Sequence, residues 1–227
     1  LGVREQNCVA FGVTRNGKAF GNPERDPWGE IVGWAKRFDD GSKGFESGGQ
    51  RGLTFVHPIP DGAGLDASEP IVLVEGLTDA ITAEDMEYTA IGRPGALLKP
   101  HLLCPLVKGR HCAIIGENDE SGAGKRGAEA TAAAIFGTAA SVKVIYPPEG
   151  AKDLREWRNS PAGCDRKELD VIISRTPPYT PAYTAPARQD FPMRVFPPMT
   201  ARFITESSQA IGCDRSYVII PVLGAIA

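Results

Sequence analysis

Four carboxylates in this chain are spaced to hold a metal ion. Glu75 and Asp79 close the run Ile71 to Asp79, IVLVEGLTD, and Glu117 and Asp119 close Cys112 to Asp119, CAIIGEND. Each run is a short block of apolar and β-branched residues that stops abruptly at acid and glycine, and each precedes a segment of helical composition. Two strands of a parallel α/β sheet are therefore expected. The ligand crevice of such a sheet lies beyond the carboxyl ends of its strands, so the four acids should gather at one rim. Carboxylates crowded together raise one another's pKa unless a cation sits between them. Oxygen ligands with no histidine or cysteine nearby suit a hard ion, Mg²⁺ or Mn²⁺. In an extended segment Glu117 and Asp119, flanking Asn118, point the same way, as a shared ion requires.

The elements that must position these acids form a βαβ series. A strand at Ile71 to Glu75 leads into a helix from Thr78 to Met86, then a strand near Tyr88 to Ile91. A tight turn at Gly92-Arg93-Pro94-Gly95 precedes a helix near Ala96 to Leu106, a strand at Cys112 to Gly116, an alanine-rich helix from Lys125 to Phe136 and a last strand at Val142 to Tyr146. Strands this apolar and without alternation fit a four-stranded parallel sheet with helices on both faces. Ahead of it, VAFGV, GEIVGWAKRF, KGFES and GLTFV are β-prone pieces divided by Asn16-Gly17, Pro27-Trp28-Gly29 and Asp39-Asp40-Gly41, which predicts a small antiparallel lobe. Alternation in GEIVGWAKRF puts Ile31, Gly33, Ala35 and Arg37 on one face and Val32, Trp34, Lys36 and Phe38 on the other. Asp61 to Pro70 is a polar connector, and TPPYTPAYTAPARQD a Pro-rich linker.

The 227 residues carry 25 Lys and Arg against 28 Asp and Glu, a net charge of −3, so any nucleic-acid surface must be local. Five cysteines, Cys8, Cys104, Cys112, Cys164 and Cys213, have no C-x-x-C spacing, which argues for reduced thiols in the cytoplasm. His101, Cys104, His111 and Cys112 do not share one rigid loop and are not read as a zinc site. GAGKRG is not a P-loop, because the required first glycine is Asp119 and Arg126 replaces Ser or Thr. No apolar run reaches membrane-spanning length and no signal peptide is present. The chain opens on LGVREQN without an initiator Met and stops at VIIPVLGAIA within a hydrophobic pattern, as a fragment of a longer polypeptide would.

Val74-Glu75-Gly76-x-x-Asp79 followed by Glu117-Asn118-Asp119 resembles the Toprim family, and within it the primase part of phage and Twinkle-like primase-helicases, over residues 9 to 160. The resemblance implies a Toprim domain at residues 67–160, a β-rich primase lobe at 1–66, a helix and linker at 161–190 and the start of a helical, helicase-associated domain at 191–227. It implies a DNA primase that joins ribonucleoside triphosphates on single-stranded DNA, in phage or mobile-element replication, with a helicase domain in the same polypeptide or in trans. Glu75, Glu117 and Asp119 are then catalytic, and with Asp79 they hold Mg²⁺ or Mn²⁺. The family has Asp where Glu117 stands. Lys36, Arg37, Lys43 and Arg51 are carried over as contacts to nucleotide or template, and Arg93, Lys125 with Arg126, and Lys152 as phosphate contacts. Gly76, Gly92 and Gly122, or Gly124 in its stead, are carried over as structural glycines. Lys152-Asp153 matches a Lys-Asp pair after the last Toprim strand, and Asp153 is equally an N-cap. A Toprim nuclease using the same acids with water, and a non-catalytic nucleic-acid-binding module, are the alternatives.

Overall fold

The computed structural model describes residues 4–59, 69–95, 99–161, 163–181, 192–211 and 215–226. The chain divides into two compact units, Leu1–Pro181 and Ala182–Ala227. In the first, helix α1 (Glu5–Ala10) is followed by the antiparallel strands β1 (Thr14–Asn16), β2 (Ala19–Arg25), β3 (Ile31–Phe38) and β4 (Lys43–Phe45), paired in the order β1-β2-β3-β4. Then come β5 (Ile71–Glu75), α2 (Gly76–Asp85), β6 (Ala90–Arg93), a 3₁₀ turn at Pro100–Leu103, α3 (Cys104–Val107), β7 (His111–Ile115), α4 (Ala123–Ile135), β8 (Ser141–Ile145), α5 (Leu154–Asn159) and α6 (Arg166–Arg175). Strands β6-β5-β7-β8 form one parallel sheet. The second unit contains a 3₁₀ turn at Met193–Val195, α7 (Pro198–Ile211) and α8 (Arg215–Ile226).

Both faces of the parallel sheet are buried, which is why its strands are continuous apolar runs. Val72, Val74, Ala113 and Ile115 pack with Ala80 and Ile81 of α2, Leu154 and Trp157 of α5, and Leu169 and Ile173 of α6. The intervening residues Ile71, Leu73, Cys112 and Ile114 pack on the other face with Ala128, Ala132 and Ile135 of α4, together with Leu103 and Val107. Small residues at Gly124, Gly127, Ala128 and Ala132 let α4 lie close to the sheet.

Two expectations need correction. The VAFGV stretch does not begin as a strand: Glu5–Ala10 is helical, and chain reversal at Gly12 (φ +74°) separates it from β1. The eleven-residue helix expected near Ala96 to Leu106 is a 3₁₀ turn and a single turn of α-helix in the described part, with Pro100 and Pro105 at their starts. Proline fits the first turn of a helix and interrupts it further in, so two prolines five residues apart give two short pieces. The sequence also hid β2. Its Pro23 pairs with Trp34, and β1 covers only Ala19 to Gly21, so Pro23 lies beyond the part of β2 that must donate to β1. The expected connector falls mostly in residues 60–68 and much of the Pro-rich run in residues 182–191, outside the described residues.

The antiparallel lobe joins the parallel sheet through backbone. Thr54 and Gly92 exchange both hydrogen bonds, at 2.9 and 2.7 Å. A Cβ on Gly92 would collide with the Gly76 carbonyl oxygen, a main-chain atom that cannot swing aside. Gly92→Ala is therefore expected to cost about 1–3 kcal/mol or more of stability, read as a lower urea midpoint with an unchanged slope.

Candidate active site

The carboxyl end of the parallel sheet opens on a cleft of about 380 Å³, roofed by the antiparallel lobe. Glu75 is the last residue of β5, and Asp79 lies one turn into α2, whose start is set by Gly76 at φ +77°. Glu117 follows β7. Asp153 lies beyond β8 as the N-cap of α5, accepting a hydrogen bond of 2.8 Å from the Glu156 amide. Oxygens of Asp79, Glu117 and Asp153 all lie within 4.8 Å of one another, the one such cluster of potential metal ligands among the described residues. Glu75 lines the same cleft.

The cluster is under electrostatic stress. Asp79 is 3 % exposed, and burial followed by the neighbouring Asp153 pushes its carboxyl up to about 8. The Arg155 amide donates to it at 3.3 Å, which offsets part of that rise. Burial, then Glu75, raises Glu117 as well. Lys152, 3.6 Å from Glu117, is a half-exposed counter-charge whose own pKa is raised by that carboxylate. With Lys152 and Arg155 the positive groups beside them, the crowded acids keep a proton on Asp79, and an all-oxygen donor set of this spacing could hold a hard divalent cation in its place.

The opposite wall is basic. In the β2-β3-β4 ladder Arg37 stands between Phe20 and Lys43, and directly opposed residues share a face. Arg37 and Lys43 therefore lie on the face that carries Asn22 and Glu24, and all four line the cleft. Lys36 also lines it, but its partners are Gly21 and Gly44, which puts its side chain on the other face of the sheet. Arg51 lines the cleft as an anchor. It is bidentate on the buried Glu24, at 2.7 and 2.9 Å, and donates to the Pro94 carbonyl at 2.7 Å. That ties the basic wall to the loop after β6.

Other candidates take different places. Arg93 is 1 % exposed at the cleft's edge, donating to the Gly127 carbonyl at 3.1 Å and Thr131 Oγ1 at 2.8 Å, so it fastens β6 to α4. Lys125 is exposed on α4, 5.8 Å from the centre of the Tyr146 ring, and is not among the residues lining the cleft. Asp119 also stands outside the three-acid cluster. Its carboxylate accepts from the Gly124 amide at 2.6 Å, the Ala123 amide at 3.0 Å and the Ser121 hydroxyl, and these donors pull its pKa down to about 2. It thus satisfies amides at the start of α4, while Gly122 takes the left-handed turn at φ +68°. Gly124 makes room for both acids, since a Cβ there would meet Glu117 Cβ at 2.6 Å. Asp119→Ala is expected to lower the melting temperature by fraying the first turn of α4. Retention of the wild-type melting curve would show that this cap is dispensable.

Asp153 is the cluster member hardest to see in the sequence, where its capping role is the obvious one. Its signal was positional: it is an acid shortly after the last parallel strand, at the same rim as Glu75 and Glu117.

No protein-family model matches the chain, and no curated protein matches it in sequence. Solved structures do match. A chain of the bacteriophage T7 assembly, in which the lagging-strand DNA polymerase interacts with primase domains of two gp4 subunits bound to an RNA/DNA hybrid and dTTP, is 19 % identical, with a TM-score of 0.54 over 78 % of this chain and 89 % of that one. The Aquifex aeolicus primase, comprising zinc-binding and RNA polymerase domains, is 17 % identical, with a TM-score of 0.54 over 71 % of this chain and 41 % of that one. The DnaG primase catalytic domain bound to single-stranded DNA is 16 % identical, with a TM-score of 0.50 over 76 % and 59 %. The fold is thus the Toprim-type α/β fold with an antiparallel lobe found in primase domains, and the chain spans less than two thirds of the latter two proteins.

Proposed function

We propose that the cleft joins ribonucleoside triphosphates on a single-stranded DNA template, as the catalytic core of a DNA primase. The observation that carries this is the opposition, across one cleft, of the Asp79, Glu117 and Asp153 carboxylates and the Arg37 and Lys43 side chains. A polymerising site needs both: acids to hold cations at the reacting phosphate and bases to hold an anionic chain and a triphosphate. A bound Mg²⁺ or Mn²⁺ supplies Lewis-acid stabilisation of the phosphoryl oxygens and a lowered pKa at the attacking 3′-hydroxyl. The three clustered acids would hold the ion. Glu75, at the strand end beside them, is placed to take the 3′-hydroxyl proton. Arg37, Lys43 and Lys152 orient phosphates, and the Glu24–Arg51 pair holds the basic wall in register with the carboxylates.

The similar proteins that carry single-stranded DNA or an RNA/DNA hybrid support this reading. We place the reaction in cytoplasmic replication of a phage or mobile element, with a helicase domain in the same polypeptide or in trans. A Toprim nuclease would use the same acids with water as the attacking group. The basic β lobe favours synthesis, because cleavage has no need of a triphosphate site. The test is incubation with labelled ribonucleotides, single-stranded DNA and Mg²⁺ or Mn²⁺, with end-labelled template in parallel. Template-dependent RNA oligomers with intact template are expected; cleaved template without RNA would overturn synthesis in favour of the nuclease.

A further inference from the structure

We infer that Arg155 is a triphosphate-binding residue, its guanidinium gripping the β- and γ-phosphates of an incoming nucleotide from the acidic wall of the cleft, opposite Lys43. The inference rests on the nucleotide-joining reading given above and adds a residue to it. Arg155 follows Asp153 by two positions in the first turn of α5, lines the cleft and is half-buried. Its main-chain amide is engaged by Asp79 at 3.3 Å, and its carbonyl accepts from Asn159 Nδ2 at 2.9 Å. Its guanidinium makes no hydrogen bond or ion pair among the described residues. The side chains one turn further along α5, Arg158 and Asn159, are a cation and an amide that cannot neutralise it. Its charge is nonetheless felt at the site, where it favours the ionised form of Asp79.

The other cations of the cleft already have protein partners. Lys152 stands 3.6 Å from Glu117, Arg37 donates to the Gly41 carbonyl at 2.8 Å, Arg51 closes on Glu24, and Arg93 on Gly127 and Thr131. Lys36 has its side chain on the other face of the lobe. Arg155 and Lys43 therefore remain, one on each wall, as charged groups lining the cleft that nothing among the described residues engages. Their surroundings select the anion. Beside Asp79, Glu117 and Asp153 a bare anion is repelled, so the phosphates of a template strand belong on the basic wall. A nucleoside triphosphate chelates a divalent ion of its own, and a guanidinium fork matches the oxygens of neighbouring phosphates pairwise. The α-phosphate reacts at the carboxylates; the β- and γ-phosphates leave together as pyrophosphate, and the charge they gain needs a cation of its own.

The test is calorimetric titration of ATP and AMP, each with Mg²⁺, into wild type, Arg155→Ala and Arg155→Lys, with single-stranded DNA binding and RNA synthesis assayed alongside. Arg155→Ala is expected to weaken ATP by about ten- to hundredfold, the range for charge-assisted hydrogen bonds, and to leave AMP and single-stranded DNA unchanged. Arg155→Lys should recover part of the loss, because an ammonium keeps the charge without the fork. The ratio of ATP to AMP affinity decides even where a variant melts lower, since loss of folded protein weakens both alike. An unchanged ratio in Arg155→Ala, or loss of single-stranded DNA binding with ATP retained, would overturn the inference. If wild type makes RNA and Arg155→Ala binds ATP as tightly, the arginine assignment fails and primer synthesis stands. If the variant loses ATP selectively while wild type cleaves template without making RNA, the arginine assignment stands and synthesis fails. If wild type binds no ATP, both fail.

Discussion

Asp153→Asn is expected to lower RNA-primer synthesis by about 10²- to 10³-fold while leaving the fold intact, the scale on which removal of one preorganised charge from a catalytic site is felt. Asparagine is as good an N-cap as aspartate, so the bond from the Glu156 amide and the start of α5 survive the change. What is lost is one negative oxygen from a cluster spanning 4.8 Å. Glu117→Gln should act in the same direction and leave Lys152 without its partner at 3.6 Å. Asp119→Asn, outside the cluster, should fall much less. Synthesis rates at saturating template and nucleotide, with circular dichroism to confirm the fold, check all three. An Asp153→Asn enzyme within threefold of wild type, by that order-of-magnitude scale, would remove this residue from the chemistry.

In the metal-free protein, stability should fall as pH rises from about 4 to about 8, and a divalent ion should restore it. Asp79 titrates near 3.8 when unfolded and at about 8 in the folded chain. Its folded-state pKa is raised, so between those limits the folded state retains a proton that the unfolded state gives up. The penalty is absent below about 4, grows through the neutral range, levels off above about 8, and is of the order of a few kcal/mol. Asp79→Asn should flatten this dependence and stabilise the metal-free protein at pH 8. Urea unfolding at pH 5 and pH 8, with chelator or with Mn²⁺, reads it directly. A metal-free protein more stable at pH 8 than at pH 5 would contradict the assigned burial and crowding of Asp79.

The parallel sheet was legible because burial on both faces writes a plain signal: IVLVE is β5 as bounded, and β7 and β8 begin one residue before the expected strands. The antiparallel lobe was harder. One face of a small sheet lines a cleft rather than a core, so β2 reads AFGNPER, with Asn22 and Glu24 where apolar residues would announce a strand. Its two buried polar side chains are the feature of the site that the sequence concealed. Glu75 and Glu117 were recognisable as acids at or just past strand ends, and Asp79 as an acid in the helix turn that follows β5, since these features are local. Asp119 and Asp153 were not separable, because what distinguishes them is tertiary: one carboxylate turns back onto the amides of α4, the other reaches across from the start of α5. Likewise Arg93 carries the charge expected of a phosphate contact, and only the packing of β6 against α4 shows its guanidinium on Gly127 and Thr131.

The most direct measurement is anomalous diffraction from crystals of the protein grown with Mn²⁺ and a ribonucleoside triphosphate. An anomalous peak among the carboxylates of Asp79, Glu117 and Asp153, with the triphosphate between it and the side chains of Arg37 and Lys43, is the expected result. A Mn²⁺ peak at another site, or a triphosphate bound with these three carboxylates left out of its shell, would contradict the assignment of this cleft as the place where nucleotides are joined.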